Sequence, residues 1–388
     1  MTDYNLVWRE LQLMLSRISN YSQIYLYSAG NRAKAITQMV HMGFLQNLSI
    51  AGYIVTRMEG CRESLANEVC LGGKPVHLVE EFVGRKAVSD AAVLVVAMEH
   101  YHQEIGESLS ATYFTNTYYL TDAMERVLVD TCTEWYFRKY DMPYYYVGHA
   151  AENRYEGKLK DQDVKLFRVQ SEVDVPLTEL LPEYEYVVPL QAGAALAKKQ
   201  VCELRDNTGD NISTLNRYYN ELSCLYWVWK NTNNKYSGIC HYRRLFESDH
   251  ALTPLIEGSA DVVLPSPVIV YPNLRGYYLG WGLDIYYEVM LAVVKDGYAD
   301  YYETACWCAE HNLFIPNNIC IAKREILDDY CNFLFGVLFE VEARMKKMDT
   351  QKQKRCWLSE HVSTIYFMKR ILVEKDFRYS FADIVRYW

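Results

Sequence analysis

Asn216 to Phe246 reads NRYYNELSCLYWVWKNTNNKYSGICHYRRLF. In its first half Tyr218, Leu222, Leu225 and Trp229 recur at helical spacing, so Asn216 to Asn231 is expected to form one amphipathic helix. Its second half, Tyr236 to His241, is a short apolar run that stops abruptly in Tyr-Arg-Arg, the pattern of a strand leaving a sheet. A helix, then a strand with polar residues at its end, is the order of an α/β sheet, whose ligands bind beyond the strand ends. His241, Arg243 and Arg244 would arrive there together. Arginine presents a planar fork matched to phosphate oxygens, and two beside a histidine make a clamp for a diphosphate. An ion-pair cluster with Asp206, Asp210 or Glu221 accounts for the same residues equally well.

The rest of the C-terminal half follows the same alternation. Strands are expected at Lys165 to Val169, Tyr186 to Gly193 (YVVPLQAG), Asp261 to Pro267 (DVVLPSP) and Asn317 to Ala322 (NNICIA). Arg205 to Ser213 (RDNTGDNIS) is a polar loop, and a long helix runs from Ile326 to about Lys346. The first 140 residues alternate as well: strands at Gln23 to Tyr27, Ile50 to Thr56, Pro75 to Val79 and Ala91 to Ala97, with helices from Gly30 to about Gln46 and from Thr121 to Tyr140. This is the doubly wound, Rossmann-like pattern of a parallel sheet. Its first turn, Tyr27-Ser-Ala-Gly-Asn-Arg-Ala33, keeps only Gly30 of a dinucleotide fingerprint, and the second strand ends in Thr56-Arg57 without the ribose-binding acid. It reads as a scaffold more than as a nucleotide site. A polar stretch without helical or strand period, AENRYEGKLKDQD, marks the boundary. The expected division is residues 1–145, a linker at 146–164, and a second domain at 165–388.

Composition narrows the function classes. The 388 residues suit two domains, and no apolar run approaches the roughly 18 residues that span a bilayer. The N-terminus reads as an amphipathic helix, with acids and polar breaks where a signal peptide has a basic start and an apolar stretch, which predicts a cytoplasmic protein. The 11 cysteines are unevenly spaced and several lie in apolar patterns, as free buried thiols do in a reducing compartment. A net charge of −9 argues against a general nucleic-acid binder. Arg344, Lys346, Lys347, Lys352, Lys354 and Arg355 crowd one stretch, which reads as a solvated loop or as a peripheral contact with anionic membrane at the inner face of the cell membrane.

Several motifs in order carry a resemblance. Val188-Pro-Leu-Gln-Ala-Gly-Ala-Ala-Leu196, Asp206-Asn-Thr-Gly-Asp-Asn-Ile-Ser213, the Asn216 to Asn231 helix, His241-Tyr-Arg-Arg244, Ile326 to Glu342 and Lys354 to Phe367 together resemble a bacterial capsular polysaccharide synthesis family. That family was long described only as a domain of unknown function, and its members are similar to galactofuranosyltransferases and related sugar transferases. The resemblance spans about Leu166 to Arg370. Two segments depart from the pattern: Val169-Gln-Ser-Glu172 lacks the usual histidine-bearing turn, and Asn318-Ile-Cys-Ile321 replaces the usual Asn-Met-Phe-Ile.

The resemblance implies a mixed α/β, GT-A-like glycosyltransferase domain behind the Rossmann-like one. The implied enzyme is an inverting transferase moving a sugar, galactofuranose among the candidates, from a UDP-sugar donor to a lipid-linked or oligosaccharide acceptor of a surface polysaccharide. His241, Arg243, Arg244, Asp206, Asp210, Asn211, Gln191 and Lys230 are the implied donor-binding residues. Glu360 is the candidate base for the acceptor hydroxyl, with Glu221 supporting the site. Such enzymes commonly hold a divalent metal on an Asp-x-Asp motif, but Asp161-Gln-Asp163 precedes the first strand and belongs to the linker. The cofactor therefore stays open: cationic side chains can neutralise the leaving diphosphate, or His241 with Asp206 or Asp210 can hold Mn or Mg. A homo-oligomer is left open too. The alternatives are a nucleotide-sugar-modifying enzyme working through the Rossmann-like domain and a non-catalytic assembly protein of a polysaccharide complex.

Overall fold

The structure is a computed structural model and describes residues 4–58, 73–84, 90–148, 163–348 and 358–388. The chain is mixed α/β and divides into two compact units, Met1–Asp141 with Ile269–Pro272, and Met142–Val268 with Asn273–Trp388.

In the first unit β1 (Gln23–Tyr27), β2 (Ile50–Val55), β3 (Val76–Leu78), β4 (Ala91–Val95) and β5 (Thr117–Tyr119) form a parallel sheet in the order β3-β2-β1-β4-β5. Alternate residues serve opposite faces. Ile24, Leu26, Ala92 and Leu94 pack with Val7 and Leu11 of α1 (Tyr4–Ile18), Ala33 and Ile36 of α2 (Asn31–His41), and Val127 and Leu128 of a helix at Asp122–Lys139. Tyr27, Val93 and Val95 meet Ile105 and Leu109 of α3 (His102–Ser110) on the other face. Thr121 caps that Asp122–Lys139 helix, α4, by accepting from the Met124 N–H at 3.2 Å, with acids in its first turn and bases in its last. The sequence reading did not anticipate β5, a strand of only three residues.

The second unit is built on one large sheet. Its elements are β6 (Tyr146–Val147), β7 (Val164–Gln170), β8 (Val187–Gln191), β9 (Leu204–Arg205), β10 (Tyr236–His241), β11 (Arg244–Phe246), β12 (Val262–Pro265), β15 (Cys320–Lys323), β16 (Tyr379–Ala382) and β17 (Ile384–Arg386); β13 (Val268–Ile269) and β14 (Leu313–Phe314) lie off it. The order is β6-β16-β12-β15-β10-β7-β8-β9, and β15 runs against both of its neighbours. β10, β7, β8 and β9 are mutually parallel, so Gln170, Gln191 and His241 end on one edge. The expected linker from 146 needs correction. Tyr146 and Val147 are a strand paired with Phe381 and Ala382, and Val164 already belongs to β7. The rest of that segment, including Asp161, lies outside the described residues.

The expected single helix is also corrected. It breaks into α5 (Asn216–Tyr219) and α6 (Leu222–Asn231) at Asn220, whose backbone is left-handed with φ +46°. Asn216 Nδ2 donates to the Asn220 carbonyl at 2.7 Å and stops the ladder there. The buried face differs from the expected one: Tyr219, Leu222, Ser223, Cys224, Leu225, Trp227 and Val228 are buried, while Tyr218 and Trp229 are half-buried. Farther on come α7 (Thr253–Glu257), α8 (Leu274–Leu279), α9 (Asp284–Gly297), α10 (Ala299–Glu310), α11 (Arg324–Lys347) and α12 (Ser359–Val373).

The Asp206 loop is locked from inside. Asp206 is wholly buried, and its carboxylate accepts from Gly193 N–H at 2.8 Å, Ala194 N–H at 2.9 Å, Ser213 Oγ at 2.5 Å and Ser223 Oγ at 2.7 Å. Gly209 sits at φ +55°, and a Cβ there would stand 1.9 Å from Asn231 Oδ1, which accepts the Asp210 N–H. The Asp206-to-Ser213 motif is thus a clamp between the end of β8 and the start of α6. Asp206→Asn, which replaces an acceptor oxygen by a donor facing other donors, is expected to cost roughly 2–4 kcal/mol in denaturant unfolding. Wild-type stability in that variant would contradict the clamp.

Candidate functional site

Beyond the end of β10 lies a cleft of about 330 Å³ lined by Asn220, Glu221, His241, Arg244, Tyr277, Tyr278, Trp281, Leu283, Asn318, Ser359 and Glu360. Each lining group is placed by a local device. β10 and β11 form a hairpin across Tyr242-Arg243, with His241 and Arg244 as register partners. This returns Arg244 beside His241, whose Nδ1 lies 3.1 Å from Arg244 Nη1. A guanidinium only donates, so Nδ1 accepts and the ring is neutral with its proton on Nε2. Burial holds His241 below the ordinary histidine range, with the Glu221 carboxylate pulling it up and Arg244 pushing it down. Burial also lowers Arg244, helped by Arg386 and Arg243 and opposed by Glu360 and Glu221.

The carboxylates are set by strained asparagines. Asn317 and Asn318 are consecutive left-handed residues, at φ +74° and +51°. This turn aims the Asn317 N–H at Glu360 Oε1 and lets Asn318 Nδ2 donate to Glu221 Oε1 at 2.8 Å and to Ser359 Oγ at 2.9 Å. Glu360 stands in the first turn of α12, yet burial pushes it up to about 7, against the Asn317 hydrogen bond and with help from the Glu221 charge. Glu221 directly follows the left-handed Asn220. The opposite wall is aromatic. Asn273 Oδ1 accepts the Gly276 N–H at 2.7 Å, capping α8, which carries Tyr277 and Tyr278; Trp281 follows it, 45% exposed.

Of the expected site residues, His241, Arg244, Glu221 and Glu360 meet in this cleft. Arg243 does not line it: it lies in the hairpin turn, its guanidinium 5.4 Å from the Tyr242 ring. Among the described residues neither arginine forms an ion pair with Asp206, Asp210 or Glu221. The other expected donor-binding residues lie outside the lining of this cleft. Asp206 already accepts from four protein donors, and Gln191 is buried, bonded to the Lys199 carbonyl and the Val201 N–H. Asn211 closes a turn between Gly209 and Ser213, Asp210 accepts from Tyr226, and Lys230 lies 3.4 Å from the Trp229 ring centroid. His241, Asp206 and Asp210 do not fit a shared cation, and among the described residues no three His, Cys, Asp or Glu side chains are grouped to hold one. Asn220, Tyr277, Tyr278, Trp281, Leu283, Asn318 and Ser359 are the lining residues that the sequence reading missed. The aromatic run bracketed by glycines at Gly276 to Gly282 was the available signal.

The basic stretch is partly accounted for, since Arg344 pairs with Asp296 and Glu340, and Lys346 with Glu342. Lys352, Lys354 and Arg355 lie outside the described residues. No helix among those described is long and apolar enough to cross a membrane. In the first unit Arg32, one residue into α2, donates to the Ala97 carbonyl and pairs with Asp122 at 2.8 Å and Glu125 at 2.6 Å. That ion pair spans the β1/β4 switch point, where a dinucleotide would lie.

The chain belongs to the family described as a domain of unknown function (DUF4422), which matches residues 177–371. Cleft residues from Asn220 to Glu360 all fall inside that span. Among solved structures, the apo structure of WbbM, a bifunctional glycosyltransferase, is similar with 20% identity and a TM-score of 0.48, over 57% of this chain and 45% of that one. The chain thus matches less than half of that protein's length. No curated protein matches it.

Glu360 gives a stability test. Its folded state holds a proton more tightly than the unfolded chain does, so this stabilisation is full below the ordinary glutamate range and is lost as pH rises through about 7. Glu360→Gln keeps the acceptor for Asn317 and removes the charge. It should melt above wild type at pH 8, by the equivalent of about 2–3 kcal/mol, with the gap closing by pH 5. A gap independent of pH would show that Glu360 is not held protonated by burial.

Proposed function

We propose that this cleft is the active site of an inverting glycosyltransferase that uses a UDP-sugar. The observation that carries the reading is the meeting of Glu360, raised to about 7, with Arg244 and a neutral His241 across one small cleft. A base works best with a pKa near the operating pH. On this reading Glu360 takes the proton of an acceptor hydroxyl, the hydroxyl oxygen attacks the anomeric carbon, and the bond from that carbon to the diphosphate oxygen breaks. Charge then accumulates on the leaving nucleoside diphosphate, where Arg244, held beside the His241 ring, donates to it. Glu221, held by Asn318, orients and tunes the pair. Tyr277 and Trp281 supply flat apolar faces of the kind that pack on sugar rings.

The finer identity, galactofuranose transferred to a lipid-linked or oligosaccharide intermediate of a surface polysaccharide, follows the sequence resemblance. GT-A-like architecture, peripheral membrane contact and an accessory role for the N-terminal unit belong to the same proposal. A Rossmann-type cofactor enzyme has less support, because Arg32 and its acidic partners occupy the switch-point crevice.

The test is turnover of a panel of UDP-sugars together with calorimetric titration of UDP. Arg244→Ala should lose about 10²- to 10³-fold in turnover and weaken UDP. Glu360→Gln should lose turnover while still binding UDP. Wild-type UDP affinity in Arg244→Ala, together with retained turnover in Glu360→Gln, would refute the assignment.

A further inference from the structure

The hairpin that delivers Arg244 is extended by β17, and this brings a second arginine, Arg386, opposite Arg244. Arg244 and Arg386 are register partners on β11 and β17. The ladder bonds flank them: Tyr387 N–H donates to the Arg243 carbonyl and Glu247 N–H to the Asp383 carbonyl, each at 2.9 Å. Arg244 and Arg386 therefore face each other at a position without mutual hydrogen bonds, where Cα atoms approach to about 4.5 Å and side chains lie closest. Like charges directly opposite destabilise a strand pair. Among the described residues Arg244 and Arg386 form no direct ion pair, and only the more distant Glu360 and Glu221 charges oppose the repulsion at Arg244. After burial, Arg386 is the strongest influence lowering Arg244. The Arg386 guanidinium is also held in place, 3.9 Å from the ring centroid of Trp388 two residues on along the same face. Trp388 in turn is pinned, its carbonyl accepting from Glu179 N–H and its N–H donating to Glu179 Oε2, each at 2.9 Å.

We propose that Arg386 joins Arg244 in a two-arginine site for the diphosphate of a nucleotide, beside the cleft. The naming of the ligand rests on the transferase reading; the anion site itself rests on the arginine pair. Two adjacent phosphates supply opposite charge in direct contact with the cross-strand pair, and fork-shaped guanidinium groups from two strands can bind them from both sides.

The experiment titrates inorganic pyrophosphate, and separately UDP, into the full chain and into Arg386→Ala and Arg386→Lys, with melting curves recorded without anion. Arg386→Ala should bind both ligands about 10- to 100-fold more weakly, with Arg386→Lys between it and wild type. Without anion, Arg386→Ala should melt at or above the wild-type temperature, because the repulsion has gone. Unchanged pyrophosphate affinity in Arg386→Ala, a lower anion-free melting temperature, or no pyrophosphate binding by wild type would each overturn the site. If pyrophosphate binds as expected but no sugar nucleotide is turned over, the anion site stands and the transferase reading falls. If a sugar nucleotide is turned over but pyrophosphate and UDP bind wild type and Arg386→Ala alike, the anion site falls and the transferase reading stands.

Discussion

A single buried carboxylate sets the frame of the second unit. Asp206 has no exposure to solvent, and an unpaired charge there would be prohibitively unstable. Four donors surround it: two backbone N–H groups past the end of β8 and two serine hydroxyls, one before α5 and one in α6. In a low-dielectric interior such bonds are strong, and losing any one exposes a buried charge. The arrangement therefore fixes where α6 begins relative to the sheet edge. Glu221 stands at that beginning, so a residue that touches nothing in the cleft decides where one of its carboxylates is.

Strain completes what the carboxylate begins. Three asparagines at the cleft, Asn220, Asn317 and Asn318, have left-handed backbones that ordinary side chains avoid. Such residues persist only where their surroundings over-determine them, and they collect at functional sites. Here each has an identifiable result. Asn220 breaks the helix ahead of Glu221, Asn317 turns its N–H onto Glu360, and Asn318 spans from Glu221 to Ser359. Two like-charged groups from distant parts of the chain are thereby held near one another, one of them by a neutral amide.

The elements that the sequence made legible are those with strong period: β1, β2, β4 and β10 fall where their apolar runs predict, and the helix expected from Thr121 to Tyr140 runs Asp122–Lys139. The site was half legible. His241, Arg244, Glu221 and Glu360 belong to charged motifs at element ends, where sequence reasoning looks for chemistry. Asp206, Gln191 and Asn211 look equally functional in one dimension, because a polar residue that satisfies buried backbone has the same letter as one that binds substrate. The helix phase failed at Asn220 because hydrophobic periodicity does not register a left-handed residue in mid-run. Tyr277, Tyr278 and Trp281 went unread because an aromatic cluster in a tyrosine-rich chain does not distinguish a cleft wall from core.

The charges in the cleft are coupled, and the coupling has a direction. Arg244 attracts Glu360's negative form and so holds its pKa below what burial alone would give, while Glu221 pushes the other way. A diphosphate seated against Arg244 cancels that attraction and adds repulsion of its own. Glu360 must then rise further above 7, becoming a stronger base that is ionised in fewer molecules. By linkage, donor and proton bind cooperatively: near neutral pH, binding UDP draws a proton from solvent. Calorimetry in buffers of different ionisation enthalpy reads this directly, as a fractional proton uptake that falls in Glu360→Gln. Proton release, or uptake unchanged in that variant, would mean that the diphosphate does not lie within reach of the Arg244–Glu360 pair. The sense of the coupling also fits the proposed chemistry, because the proton taken from the acceptor is best received where two phosphates have already raised the base.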